Sequence, residues 1–215
     1  MSYIYCNNSK LQAMKQLVTL IVPFLLVDVS RAQDVESEIE EIRTWFKATE
    51  LNLKNYTPIT LDEEYIEGMN LTVTGYFDPG SQKFVKLTIE SLGDWFEETA
   101  AYYFNDERLY FSFTTGNNST EFYSAEELGI TDEESFESGP EAKTIEYFEY
   151  RHYYNAENCI RYLSKSKTVA ASEGAQTLTE IDNNEEDCTK DNVGMLKTDL
   201  GDFLTRLRRV MNESK

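Results

Sequence analysis

The stretch LTVTGYFDPGSQKFVKLTIESL (Leu71–Leu92) decides the fold class of this 215-residue chain. Apolar and polar residues alternate on both sides of its centre, which is the period of a β-strand with one buried face. The centre itself, DPGS (78–81), consists of turn-forming residues. The stretch therefore predicts a β-hairpin.

The same pattern returns twice further along the chain. Residues 97–104 lead through a polar turn into 108–115, and residues 143–154 lead through another into 159–164. Each hairpin has two aromatic residues before an Asp or Asn at the turn, so the hairpins form an internal repeat. Its uneven spacing argues against a solenoid or propeller, which needs a fixed period, and predicts a meander of about six antiparallel strands. The aromatic pairs are Tyr76-Phe77, Tyr103-Phe104 and Tyr153-Tyr154.

Amphipathic helices are predicted on both sides of this sheet in the sequence. Residues 34–54 carry apolar side chains at helical spacings, with Asp34 as the N-cap, and Pro58 prevents the helix from continuing. Residues 191–212 show the same period and have arginines near the C-terminal end, where the helix dipole favours them. We therefore expect an α+β fold: an N-terminal helix, an antiparallel meander of about six strands, and a C-terminal helix. Both helices are expected on one sheet face, which leaves the other face for function or solvent.

The N-terminus has the three parts of a secretory signal peptide. Lys15 precedes an apolar run at 17–29, and small residues stand at the −3 and −1 positions of a cut after Ala32. This predicts a signal peptide at 1–32, a periplasmic or secreted location, and a single α+β domain over 33–215.

Three other interpretations of the apolar run stay open. A transmembrane anchor needs about 20 apolar residues, whereas this run is shorter, is interrupted by Pro23 and is closed by Asp28. A lipoprotein signal would place a cysteine directly after the run, but Cys6 lies upstream of it. A buried core helix is the third interpretation. Met14 also resembles a signal start, in which case residues 1–13 are an upstream extension.

Two polar stretches interrupt the β pattern. Asn117–Pro140 is an acidic insertion between the second and third hairpins, and a short helix is predicted in it at Ser124–Leu128. Residues from about 166 to 190 have no periodicity and predict a long polar loop.

Cysteine usage predicts one disulfide. Cys159 and Cys188 are the two cysteines that remain after removal of residues 1–32. An even count in an oxidising compartment favours a bridge, which would tie the polar loop to the last strand. Loop-closure entropy gives such a bridge about 3 to 4 kcal/mol. Two unpaired thiols are the alternative.

Net charge excludes several classes of partner. The chain has a formal charge of −19, and removal of residues 1–32, which contain three basic residues and one acidic residue, lowers it to −21. A chain so acidic repels nucleic-acid phosphates and anionic lipid surfaces, and it favours cations or basic partners. We therefore expect no nucleic-acid partner and no stable membrane span once the signal is cleaved.

Aromatic side chains occur on both faces of the predicted strands. Because successive strand residues point to opposite faces, one set forms the core and the other is exposed unless a ligand or partner covers it. The alternative is that cross-strand aromatic pairs only stabilise an exposed sheet. The candidate ligand-binding residues on one face are Tyr102, Phe104, Phe148, Tyr150 and Tyr154.

No residue pattern indicates catalysis, so we expect no catalytic residue and no cofactor. His152 is the single histidine, and no glycine pattern of a nucleophile elbow supports a serine triad. Glu97 and Glu98 are adjacent in a strand, so they point to opposite faces and cannot form the carboxylate pair of a glycosidase. The candidate calcium ligands are Asp182, Asn184, Glu186 and Asp187, whose spacing resembles the start of an EF-hand loop. The stretch lacks the glycine at the sixth position and a flanking helix, which leaves metal binding open.

Three short motifs stand out: SRAQ (30–33) at the end of the signal, Ile42-Arg43 in the leading helix, and the hairpin YYFNDERLYF (102–111). Together they resemble motifs of uncharacterised exported proteins common in Bacteroidota, which carry aromatic β-hairpin repeats. The resemblance covers about residues 34–164. It implies a periplasmic or surface location and carries no catalytic residue.

These observations predict a non-enzymatic binding or interaction domain that uses an aromatic-rich sheet face. Its partner is an unidentified protein, peptide or glycan of the cell envelope. Two alternatives stay open: a hydrolase of envelope or glycan substrates with paired carboxylates, and a calcium-dependent structural envelope protein. A shallow aromatic face would favour binding, and a deep cleft with two converging carboxylates would favour hydrolysis.

Overall fold

The computed structural model describes residues 34–66, 69–128, 141–156, 158–188 and 193–213, with side chains for 34–61, 70–128, 141–156, 158–188 and 200–213. The chain divides into two compact units, Met1–Glu41 and Ile42–Lys215. The described part of the first unit is the opening turns of helix α1 (34–52). The predicted signal peptide at 1–32 lies outside the described residues.

The second unit contains one sheet of eight antiparallel strands, paired in sequence order. Helix α1 ends in a short 3-10 turn, Leu53–Asn55, and helix α2 (Val193–Glu213) follows the last strand. These elements confirm the α+β class, the two helices and the antiparallel meander. Within the described residues, no helix has both the length and the hydropathy of a membrane span. The strands are β1 (Thr57–Ile66), β2 (Met69–Asp78), β3 (Lys83–Leu92), β4 (Phe96–Asn105), β5 (Arg108–Phe122), β6 (Ala142–Asn155), β7 (Asn158–Ala170) and β8 (Asn184–Glu186).

The expected number of six strands is wrong, because the sheet has eight. The sequences of β1 and β8 lack a clear apolar alternation, so neither was predicted as a strand. β1 ends in LDEEYI (61–66), whose acidic run breaks the apolar alternation. β8 consists of three polar residues that pair with Tyr162–Ser164 of β7. Both strands therefore depend on a neighbouring strand rather than on their own pattern. β7 also continues to Ala170, so the first part of the predicted loop at 166–190 is strand.

The aromatic pairs of the internal repeat coincide with β-bulges. A bulge adds one residue to one strand of a pair and increases the local twist. The repeat thus marks the point at which each strand bends into its turn. The register shifts lie between Tyr76 and Phe77, between Tyr103 and Phe104, and between Tyr153 and Tyr154.

The two helices pack on opposite faces of the sheet, which corrects the expectation of a shared face. Phe46 of α1 lies edge-on to Tyr103 and Phe111, with ring centroids 5.1 and 5.2 Å apart. Leu207 of α2 belongs to the core cluster that contains Tyr102, the chain neighbour of Tyr103. Neighbouring strand residues point to opposite faces. We call the face that bears Tyr103 the α1 face and the face that bears Tyr102 the α2 face.

The burial pattern of β4 explains why both faces need a helix. Five consecutive residues, 100–104, are buried. An alternating strand buries such a run only when both sides of the sheet are covered. A single covered face would have left at least two of these five side chains in water.

The main hydrophobic core lies on the α2 face. Gly75 lets α2 approach the sheet closely, since a Cβ atom there would lie 2.7 Å from Phe84 and 2.8 Å from Leu207. Partly buried residues of β1, including Ile59 and Leu61, extend this core. Its buried members are Leu71, Val73, Phe77, Phe84, Leu87, Ala100, Tyr102, Phe104, Leu200 and Leu207.

Polar contacts fix α1 to its face of the sheet. Glu50 Oε1 accepts hydrogen bonds from Lys86 Nζ (2.8 Å) and from Tyr103 Oη (3.0 Å). The Lys86 ammonium also lies 5.1 Å from the centroid of the Tyr103 ring. Burial, followed by the charge of Glu50, raises the pKa of Tyr103 well above its ordinary range. Burial raises the pKa of the neighbouring Tyr110 to about 12.

We expect stability to fall at alkaline pH through these two tyrosines. Their folded pKa values exceed the value near 10 of an unfolded chain, so the stabilisation is complete below pH 10 and is lost as pH rises through the folded values. Each tyrosine contributes at most about 1.4 kcal/mol per pH unit to this loss. Chemical denaturation between pH 9 and pH 12 should show a shallower decline for Tyr103→Phe. The matched variant Tyr123→Phe should decline like the parent protein, and identical slopes for all three proteins would contradict the assignment.

The predicted disulfide between Cys159 and Cys188 is confirmed, with Cα atoms 5.7 Å apart. Part of the segment that it encloses folds back over the α1 face of β6 and β7, held by three hydrogen bonds from strand side chains. These are donated by Lys165 to Leu178 O (3.4 Å), by Lys167 to Gln176 Oε1 (3.0 Å) and by Tyr147 to Gly174 O (3.3 Å).

The predicted helix at Ser124–Leu128 is a single turn. The Leu128 amide donates to Ser124 O (3.1 Å), while Ser124 and Glu127 cap each other reciprocally. The remainder of the acidic insertion, 129–140, lies outside the described residues.

Candidate functional site

A row of stacked rings runs along β6 and β7 on the α2 face. We call it the aromatic column, and it consists of Phe148, Tyr150, His152, Tyr154 and Tyr162. The Phe148 and Tyr150 rings lie 5.1 Å apart at an interplanar angle of 17°, and His152 stacks on Tyr162 at 4.1 Å and 13°. The small interplanar angles show that the rings of each pair are stacked face to face.

The strand registers bring the column together. His152 pairs with Tyr162 across β6 and β7, and alternation along β6 places Phe148, Tyr150 and His152 on the same face. Four of the five rings are half-buried, whereas Tyr154 is buried. Since α2 packs against β1 and β2, at the other end of the strand order, the column lies away from that helix.

Three carboxylates surround the centre of the column. Burial raises the pKa of Tyr150, and the charges of Glu146, Glu98 and Glu186 raise it further. Burial also raises the pKa of Glu98. Glu186 accepts a hydrogen bond from Ser164 Oγ at 3.0 Å, and Ser164 is the cross-strand partner of Tyr150. This bond holds the Glu186 carboxylate near Tyr150. The column is thus an aromatic surface with acidic surroundings.

Gly116 makes room for one end of the column. A Cβ atom at this position would lie 2.9 Å from Phe148 Cζ and 3.0 Å from Glu98 Cα. Phe148 can therefore lie over β5 only because its cross-strand partner has no side chain.

The five candidate residues predicted from the sequence all lie on the α2 face, but in two different surroundings. Tyr102 and Phe104 belong to the core beneath α2, with exposed fractions of 6 and 7%. Phe148 and Tyr150 are half-buried in the column, and Tyr154 is 3% exposed at its end. The alternation rule grouped the five by face, while the burial of Tyr102 and Phe104 depends on where α2 packs.

The structure adds His152 and Tyr162 to the candidate set. Alternation along β6 already predicts that His152 lies on this face. The face on which Tyr162 lies follows only from the register between β6 and β7. Ser112 Oγ lies 3.4 Å from His152 Nδ1, but Ser112 is only 3% exposed. A serine so buried beneath a stacked imidazole is poorly placed to attack a substrate.

The acidic run considered for calcium lies partly in β8. Glu185 contacts Arg161 on one side of the sheet at 3.2 Å, and Glu186 contacts Ser164 on the other. Adjacent strand residues point to opposite sides, so Glu185 cannot join Glu186 in one set of ligands. Within the described residues, no group of three or more His, Cys, Asp or Glu side chains is arranged to hold a metal ion.

Neither a protein-family model, nor a curated protein, nor a solved structure matches this chain.

Proposed function

We propose that this protein is a secreted or periplasmic, non-enzymatic binding domain, and that its partner is a basic peptide or protein segment that contacts the aromatic column. The observation that carries the proposal is the half-buried row of rings on β6 and β7, away from α2, with three carboxylates around Tyr150.

Residue chemistry supports a basic partner. Lysine and arginine side chains bind both to carboxylates and to aromatic rings, and the column provides both within one surface. The formal charge of −19 adds long-range attraction for a basic chain and repulsion for an anionic one. Aromatic residues are also the side chains that most often anchor protein interfaces.

A binding role accounts for this surface better than hydrolysis does. Glu98 is half-buried beside the column, whereas its neighbour Glu97 is exposed on the opposite face. Glycosidases need two carboxyl groups that converge across a cleft. The three glutamates instead surround a tyrosine on a sheet surface.

The proposal predicts binding of a basic peptide that depends on one face of β6. Pentalysine should bind to the protein and shift the aromatic NMR signals of Phe148 and Tyr150. The change Tyr150→Thr should weaken binding at least tenfold, because it removes the central ring. Tyr147→Thr is the matched control, since it removes a tyrosine from the other face of the same strand, and it should change the affinity less than twofold.

Three outcomes would contradict the proposal. Pentalysine that does not bind, or binds equally to the Tyr150→Thr and Tyr147→Thr variants, would show that the column is not the contact surface. Preferential binding of neutral chito-oligosaccharides would replace the basic peptide by a glycan. Release of reducing ends from those oligosaccharides would favour the hydrolase.

A further inference from the structure

A concave site lies on the α1 face, opposite the aromatic column. It is a cavity of about 440 Å³ between α1 and strands β5 and β6, and its volume falls in the range of small-molecule sites. Its apolar lining includes Phe46, Phe111 and Phe113. Its charged lining residues are Arg43, Lys47 and Arg151, and none of the described residues that line it is acidic.

We propose that this cavity binds a small amphiphilic carboxylate, with its apolar part against the phenylalanines and its carboxylate at the cations. The cations form a basic site in a chain whose formal charge is −19. That contrast indicates an anionic ligand rather than a neutral one. Guanidinium and ammonium groups form short, charge-assisted hydrogen bonds with carboxylates.

The surroundings of Arg151 leave positive charge at the cavity. Its guanidinium lies 2.6 Å from Glu149 Oε1, but Lys165 Nζ lies 3.9 Å from the same oxygen. Two cations thus share one carboxylate. The guanidinium also lies 5.7 Å from the centroid of the Phe113 ring, which holds it against the apolar wall.

The apolar wall is in place before any ligand arrives. Phe46 of α1 packs edge-on against Phe111 of β5 at 5.2 Å, and Phe111 contacts Tyr153 of β6 at 5.1 Å. These contacts between helix and sheet hold the rings in fixed positions, so binding requires little ordering of side chains.

Three probes with the same alkyl chain test the proposal: decanoate, decanol and decylammonium, titrated calorimetrically below the micelle concentrations of the two ions and below the solubility limit of decanol. We expect decanoate to bind and decanol to bind at least tenfold more weakly. Decylammonium can bind to the acidic column, so we expect Lys47→Glu not to weaken its binding. Lys47→Glu should lower the affinity for decanoate at least tenfold, because it reverses an exposed charge at the cavity. Lys54→Glu makes the same change on an exposed lysine that does not line the cavity, and it should alter the affinity less than twofold.

Absence of decanoate binding would overturn the proposal. Equal affinity for decanoate and decanol would also overturn it, since the cavity would then be a simple apolar void. Equal losses of decanoate affinity in Lys47→Glu and Lys54→Glu would show that decanoate responds to the net charge of the protein and not to the cavity, and would also overturn the proposal. As a steric check, Phe113→Trp should fill part of the cavity and weaken decanoate binding. None of these variants changes the aromatic column, so this test is independent of the one for the basic peptide.

Discussion

Replacement of Gly116 by alanine is expected to destabilise the protein by about 3 kcal/mol, the cost of overpacking a site that cannot relax. The added methyl group would overlap the carbonyl oxygen of Glu97 on the neighbouring strand and would lie 2.9 Å from Phe148 Cζ. The phenylalanine ring can rotate, but the Glu97 carbonyl belongs to the backbone of β4, which is paired with β5 at this point. Denaturant unfolding should therefore show a lower midpoint, and the NMR signals of Phe148 and Tyr150 should shift.

Gly201→Ala is the matched control for this substitution. Gly201 lies in the exposed interior of α2, and a Cβ atom there would meet nothing within 4 Å. Alanine has the higher helix propensity, so this variant should gain up to about 1 kcal/mol. The two glycine substitutions should thus have opposite signs, and a Gly116→Ala variant as stable as the parent protein would contradict the described packing of β4 on β5.

Loss of the Cys159–Cys188 disulfide should lower the free energy of unfolding by about 3 to 4 kcal/mol. The two residues are 29 positions apart, so the bridge closes a sizeable loop in the unfolded chain. In the folded chain it holds the segment of β8, a strand of only three residues that pairs with β7. Hydrogen exchange should therefore increase most at Asn184–Glu186 and in the preceding loop.

The double variant Cys159→Ser/Cys188→Ser separates the bridge from other effects of a reductant. Dithiothreitol should destabilise the parent protein to the level of this variant and should leave the variant itself unchanged. A variant with the stability of the parent protein would mean that loop closure contributes nothing here.

Local pattern predicted those elements whose residues carry their own signal. The hairpin at Leu71–Leu92 has alternation on both sides and turn residues at its centre, and the structure contains it as β2 and β3. The helical period of 191–212 matches α2. β1 and β8 were not predicted, because the first has an acidic run and the second only three polar residues. Both strands form because a neighbouring strand, β2 for β1 and β7 for β8, provides backbone hydrogen-bond partners.

The sequence predicted which aromatic residues of the candidate site share one face of the sheet, but not which of them are exposed there. Alternation along β4 and β6 grouped Tyr102 and Phe104 with Phe148 and Tyr150. Tyr102 and Phe104 lie in the core because α2 packs there, and the position of a helix on a sheet depends on how side chains of distant segments fit together. Gly75 permits the close approach of Leu207. The sequence places this glycine in a strand, but does not indicate that a helix packs against it.

The strand and helix periods, the turns, the likeness among the hairpins and the pair of cysteines available for a bridge are all readable from the amino-acid sequence. Each of these depends on residues close together in the chain or on a simple count. The positions of the helices on opposite faces, the division of the aromatic residues between core and column, and the meeting of Arg43, Lys47 and Arg151 at one cavity appear only in the folded chain. They follow from packing and charge between segments far apart in sequence, whose relative positions no local pattern encodes.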